Sequence, residues 1–172
     1  MGSAKHLVRR FFGSLRPGGP GQAAEAWVEA HLLPNERTLW KRMSGPDRRH
    51  AVGVAQHVER SLGHEATRPV LAAALLHDVG KIECGLGTYG RVVATLSAKV
   101  AGASMAPVWR KQRGYARRVG LYLQHAEIGG DLLELAGSDP LTVAWAREHH
   151  HPEAEWTIDP VIGGALKAAD DD

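Results

Sequence analysis

Apolar residues run without a break from Val70 to Leu76, so this stretch is hydrophobic around the whole helical circumference and predicts a buried central helix. Thr67 followed by Pro69 marks its start, as an N-cap residue with proline in the first turn. Elsewhere apolar positions recur at helical spacing, and almost no stretch alternates as a half-buried strand would. The pattern predicts helices near residues 22–33, 35–43, 46–62, 68–80, 91–101, 107–123, 126–136, 140–150 and 160–170. Gly85-Leu86-Gly87-Thr88-Tyr89-Gly90 reads as a loop. It lacks the Lys-Ser/Thr of a Walker phosphate loop and the preceding strand of a dinucleotide-binding turn. There is no internal repeat, and the expected fold is all-helical.

The buried helix ends in a polar pair, His77-Asp78, followed by Gly80-Lys81. An aspartate is almost never fully buried unless it is paired or bound to a cation, so the pair needs partners from elsewhere in the chain. A metal ion is the simplest. Ser44-Gly45-Pro46-Asp47 reads as a helix start, and the helix that follows carries His50, Val54, His57 and Val58 on one face. Further along come His125, the run His149-His150-His151, and Asp170, which shares a helical face with Leu166 and Ala169. Neutral imidazole plus carboxylate is the donor set of Zn, Fe and Mn sites, and the single cysteine, Cys84, makes no competing cluster. Neighbours on a helix point about 100° apart, yet His77 and Asp78 can converge on a metal pair because a carboxylate has two donor oxygens. His151 precedes Pro152 and is pushed out of the helical region, though it can still reach a substrate and the run leaves open which two of His149, His150 and His151 are ligands, while His6, His31, His57 and His64 read as ordinary structural or solvated histidines.

The order His50, His77-Asp78, Asp170 resembles the HD-domain superfamily of metal-dependent phosphohydrolases, and the added His125 and His149-His150 are similar to its binuclear branch, which includes the HD-GYP cyclic-dinucleotide phosphodiesterases. The resemblance covers roughly residues 36 to 170. It implies a single HD-domain helical bundle with a metal site in its core. It makes His50, His77, Asp78 and Asp170 the ligands of a first ion, with Asp78 bridging, and His125, His149 and His150 the shell of a second. Lys81 becomes a phosphate contact. The implied activity is hydrolysis of a phosphoester of a nucleotide or cyclic nucleotide by metal-activated water, with Asp78 and Lys81 as catalytic residues. The implied cofactors are two divalent transition metal ions, and the donor set does not separate Fe, Mn, Zn, Co and Ni. Two ions roughly 3.5 to 4 Å apart lower the pKa of a bound water and stabilise both oxygens of an in-line displacement.

Two departures narrow what the resemblance implies. The chain continues from His150 as His151-Pro152-Glu153, without the Gly-Tyr-Pro that names the cyclic-di-GMP enzymes, so that substrate is not implied. Pro46 stands four residues before His50, where trinuclear relatives carry a glutamate ligand, so a third metal is not expected. Two alternatives remain open, a nucleotide-sensing HD module without turnover and a di-iron HD-type oxygenase.

At 172 residues the length suggests one domain with a sizeable core, and a net charge of +2 argues for no class of partner. One cysteine excludes an internal disulfide, and there is no signal peptide or span of 18 apolar residues. The expected location is the cytoplasm, with no membrane partner. Lys5, Arg9, Arg10 and Arg16 precede the break Pro17-Gly18-Gly19-Pro20-Gly21, so residues 1–21 are expected to form a mobile basic extension ahead of a domain at 22–172. Arg91 and the run Trp109 to Arg118 lie between the His-Asp pair and His125. Arginine forks bind phosphate bidentately and aromatic rings stack on bases, so Arg91, Arg113 and Arg117 join Lys81 as candidate substrate contacts. The other reading of this run is a solvated helix face with aromatic anchors in the core. The expected partner is a small phosphorylated molecule, with nucleic acid not expected and the oligomeric state left open.

Overall fold

The computed structural model describes residues 18–101 and 105–172. Within them the chain is all-helical, and among the described residues there is no strand. We label the helices α1 (Gln22–His31), α2 (Pro34–Arg42), α3 (Gly45–Leu62), α4 (Arg68–Leu76), α5 (Thr88–Ala101), α6 (Ala106–Arg110), α7 (Gly114–Leu123), α8 (His125–Ala136), α9 (Pro140–Glu148) and α10 (Pro160–Asp171). Short 3-10 turns occupy Gly63–Glu65, Val79–Glu83 and Glu153–Glu155.

α4 is the central element, as its uninterrupted apolar sequence predicts: every residue from Val70 to Leu76 is at most 2% exposed. α3 and α9 pack against it, α10 lies along α3, and α8 lies along α9. Burial of this size, at roughly 25 cal/mol per Å² of apolar surface, is what offsets the chain entropy lost in ordering the helices. Helix starts follow local chemistry. Ser44 Oγ accepts the Asp47 N–H at the start of α3, and the Asp139 and Asp159 carboxylates cap α9 and α10 in the same way. Thr67 does not do so for α4, where Pro69 in the first turn carries the start. A second, smaller apolar cluster of Cys84, Leu86, Ala94, Val119, Leu121 and Ile128 holds α5 to α7 together, with Trp109 and Tyr122 packed against it.

Several expected boundaries differ. α4 stops at Leu76 rather than continuing to residue 80, and Asp78, at φ −99° and ψ 9°, leads into the 3-10 turn. The helix expected over 107–123 is two helices, broken where Gly114 takes a left-handed φ of 62°. The helix expected over 140–150 ends at Glu148, so His149 and His150 sit in the turn beyond it. Thr88 to Gly90, expected in a loop, already belong to α5. Of the basic extension expected over 1–21, residues 1–17 lie outside the described residues.

Candidate metal centre

Three helices deliver a histidine just beyond their C-terminal ends: α4 delivers His77, α7 delivers His125 and α9 delivers His149. The last carbonyls of a helix have no intrahelical donor, and each histidine uses one. His77 Nδ1–H donates to the Ala74 carbonyl at 2.9 Å, His125 Nδ1–H to Tyr122 at 2.7 Å and His149 Nδ1–H to Ala146 at 2.9 Å. A carbonyl can only accept, so Nδ1 carries the proton and Nε2 is presented to the centre, the arrangement by which an outer partner orients a metal-binding imidazole. α4 and α9 end at His77 and His149, which brings the negative ends of two macrodipoles to these residues, while α8 begins at His125.

Asp78 stands between the histidines, with its two oxygens facing opposite ways. Oδ1 lies 3.2 Å from His125 Nε2 and 3.8 Å from His149 Nε2, whereas Oδ2 lies 3.4 Å from His77 Nε2 and accepts from Lys81 Nζ. Asp170, on the last turn of α10, places Oδ1 2.9 Å from His50 Nε2 and 3.5 Å from His77 Nε2. The donors therefore fall into two trios, His50 with His77 and Asp170, and His125 with His149 and His150, each with its ligand atoms within 4.8 Å of one another. Asp78 lies between them, with Oδ2 beside His77 of the first and Oδ1 beside His125 and His149 of the second. His77, Asp78, His125, His149 and Asp170 are buried, but His150 is exposed and leaves the second trio open on one side.

Burial alone would disfavour a charge on His77, but the Asp78 and Asp170 carboxylates outweigh it and raise its pKa to about 9. His149 moves the other way: burial, then the neighbouring His77 and His150, push it down to about 2. His150 is lowered to about 4 by burial and by His125. Burial works against ionisation of Asp78, yet Lys81 and His77 hold it well below the ordinary carboxylate range. The Asp78 carboxylate likewise raises Lys81 against its burial, so the ammonium stays charged.

The donor set fits divalent transition metal ions. His149 Nε2 is buried with no hydrogen-bond partner, an expensive arrangement that a coordinated cation would relieve, and His77 Nε2 has only the Asp78 and Asp170 carboxylates beside it, at 3.4 and 3.5 Å. Both are ring nitrogens aimed at the Asp78 carboxylate, and the mixture of imidazole and carboxylate suits Zn, Fe, Mn, Co or Ni.

The remaining sequence candidates do not all converge here. Arg91, expected to contact substrate, is instead locked into a bidentate pair with Asp47, its Nη1 and Nη2 donating to the two carboxylate oxygens at 2.6 and 2.9 Å, while its Nε donates to the Leu86 carbonyl. Its fork is therefore committed to tying α5 to the first turn of α3. Arg113 and Arg117 are exposed on and before α7. His57 is turned outward toward Asp172, and His151 toward Glu155. Sequence reasoning missed Gly80. A Cβ there would lie 2.0 Å from the His125 carbonyl oxygen and 2.6 Å from the Gly129 nitrogen, so only glycine lets the His77-Asp78 turn meet the start of α8. The signal was present, a glycine two residues after a buried aspartate, but its partner lies 45 residues on. Glu148 was missed too: its carboxylate accepts the Thr157 N–H at 2.7 Å and hydroxyl at 2.6 Å, closing the turn that carries His149 and His150. No family model, no curated protein and no solved structure matches this chain.

Proposed function

We propose that this chain is an HD-type, binuclear metal-dependent phosphohydrolase that cleaves a phosphoester in a small phosphorylated substrate of the nucleotide class. The observation that carries the proposal is Asp78, a buried carboxylate whose separate oxygens face two separate donor trios. His50, His77 and Asp170 with one oxygen would hold one ion, and His125, His149 and His150 with the other would hold its neighbour. Bound there, the ions would supply an activated water and a clamp on the phosphate oxygens.

The protein's own groups divide the remaining work. Lys81 keeps its positive charge because Asp78 holds it, and it can neutralise charge developing on the phosphate. α4 forms an apolar wall behind His77 and Asp78, and the centre is reached from solvent at the exposed His150 and the part-exposed His50. The Gly80 contact and the main-chain bonds to the imidazoles fix the donors before substrate arrives, which limits the reorganisation required during reaction. Purified protein loaded with Mn, Fe, Co, Ni or Zn is expected to hydrolyse bis-p-nitrophenyl phosphate or a member of a nucleotide panel. Absence of turnover with every metal, at two ions bound per chain, would overturn the proposal.

A further inference from the structure

Between Cys84 and Ala126 the chain carries seven of its 21 Lys and Arg residues and none of its 19 Asp and Glu residues. This stretch builds α5, α6 and α7, the helices held by the second apolar cluster. The rest of the chain is net acidic, so the near-neutral total conceals a strong segregation of charge. Elsewhere the basic side chains commonly pair: Arg42 with Glu83, Arg48 with Glu25, Arg68 with Glu36, and Arg147 with Asp131 and Glu134. Lys111, Arg113, Arg117 and Arg118 are exposed, and among the described residues none of them reaches a carboxylate.

The same three helices expose aliphatic side chains. Val92, Val93 and Leu96 share one side of α5, Val108 lies on α6 and Tyr115 on α7, and all five are between 41% and 56% exposed. Tyr115 joins them physically, because its hydroxyl donates to the Gly90 carbonyl at the start of α5 and so sets the first turn of α7 beside Val92 and Val93. α6 packs closely on α7, with no room for a Cβ at Gly120 against the Arg110 backbone. Leu135 and Val161, the other large exposed apolar residues described, sit on other helices.

We infer that the α5–α7 face is a peripheral docking surface for an anionic lipid bilayer. Unpaired cations attract an acidic surface of any kind, but the exposed valines and leucine on the same three helices find an apolar complement in the acyl boundary of a membrane and none in a phosphate backbone. This is contact at the interface only, since no helix described is long and apolar enough to cross a membrane. It stands independently of the metal chemistry.

Flotation of the whole protein with vesicles tests it, using phosphatidylcholine alone or phosphatidylcholine doped with phosphatidylglycerol. The protein is expected to float with the anionic vesicles at low salt and be released at high salt. Partitioning should fall by about tenfold or more in the K111E/R118E variant, which reverses two surface charges. It should also fall in V93S/L96S, which keeps the charge and removes apolar contact. Metal content and helical circular dichroism, equal to the parent in both variants, serve as the fold control. Equal partitioning onto neutral and anionic vesicles, or unaltered partitioning of V93S/L96S, overturns the inference. So does failure to float together with tight binding of a labelled oligonucleotide, which would assign the face to nucleic acid.

Discussion

The two donor trios differ in charge more than in shape. His50, His77 and Asp170 include their own carboxylate, and without a cation they satisfy one another: Asp170 lies within 3.5 Å of both rings, and His77 titrates near 9. His125, His149 and His150 are three imidazoles with no carboxylate among them. His125 Nε2 and His150 Nε2 lie 3.2 Å apart, and His149 and His150 titrate at about 2 and about 4. His77 in the first trio must therefore give up a proton to take an ion, whereas His149 and His150 in the second already present neutral nitrogens at neutral pH. What joins such unlike halves is Asp78.

Replacing that joint is expected to have the largest effect. Asp78→Ala should lose at least one ion and reduce turnover to background, measured by elemental analysis and by hydrolysis of bis-p-nitrophenyl phosphate. Loss of binding also removes the stabilisation that saturating metal supplies, on the order of 3 kcal/mol at 100 times Kd. Wild-type metal content and rate in this variant would break the comparison at its root.

His125→Ala addresses the second trio alone. It should retain one ion, held by His50, His77, Asp78 and Asp170, and lose turnover by orders of magnitude while its circular dichroism is unchanged, because the clamp on the phosphate is then half complete. Two ions per chain and near-normal kinetics would make His125 an ordinary helix-end histidine outside both coordination shells.

Gly80→Ala acts on the spacing between the trios rather than on a ligand. A methyl group placed 2.0 Å from the His125 carbonyl must force the turn and α8 apart, with a cost of about 1–3 kcal/mol typical of overpacking. Urea unfolding should show that loss, and metal titration should show weaker binding at both sites.

The charge difference itself is sharpened by pH. His77 binds metal only after losing a proton that it holds up to about pH 9, so the affinity of the first trio should fall as pH drops from 9 toward 6, by about tenfold per unit for one displaced proton. His149 and His150 have no proton to lose in this window. Chelator competition on His125→Ala, which isolates the first trio, and on His50→Ala, which perturbs it, should give a steep and a shallow profile respectively. Equal slopes would remove the distinction.

The smallest effect is expected at Arg91. Burial opposes ionisation of Asp47, but its pair with Arg91 lowers its pKa, so the pair contributes stability above the ordinary carboxylate value and loses it as pH falls through the folded one. Arg91→Ala should cost about 1 kcal/mol at pH 6, discounted for partial exposure, and the difference from the parent should shrink on acidification below pH 4. A constant difference across that range would mean that Arg91 contributes packing alone.

The donors were legible in the sequence because an imidazole or a carboxylate that an apolar run carries into the core must be paired there, as at His77-Asp78 after Val70–Leu76 and at Asp170 beside Ala169. The all-helical fold was legible for a related reason, since helical periodicity is carried by each segment on its own. The end of α4 was not. Val79 continues the apolar run, and the turn that replaces the helix beyond Leu76 meets residues 125 and 129 at Gly80, a contact no local window contains. The Arg91–Asp47 pair was not legible for the same cause: the type of Arg91 suits phosphate, and Asp47 is brought to it by the fold. The break in the 107–123 helix did have a local signal, Gly114, whose left-handed backbone opens α7 after the chain leaves α6 at Arg110.

The acceptors that aim the three imidazoles belong to the main chain, at Ala74, Tyr122 and Ala146. Any amino acid at those positions would offer the same oxygen. The aim of the rings therefore does not depend on which side chains residues 74, 122 and 146 carry, provided the helix ends stay where they are. Ala74 and Ala146 are fully buried, so substitution there is limited by the space in the core and not by the bond, and mutational sensitivity reaches the imidazoles only through shifts of the turns that terminate α4, α7 and α9.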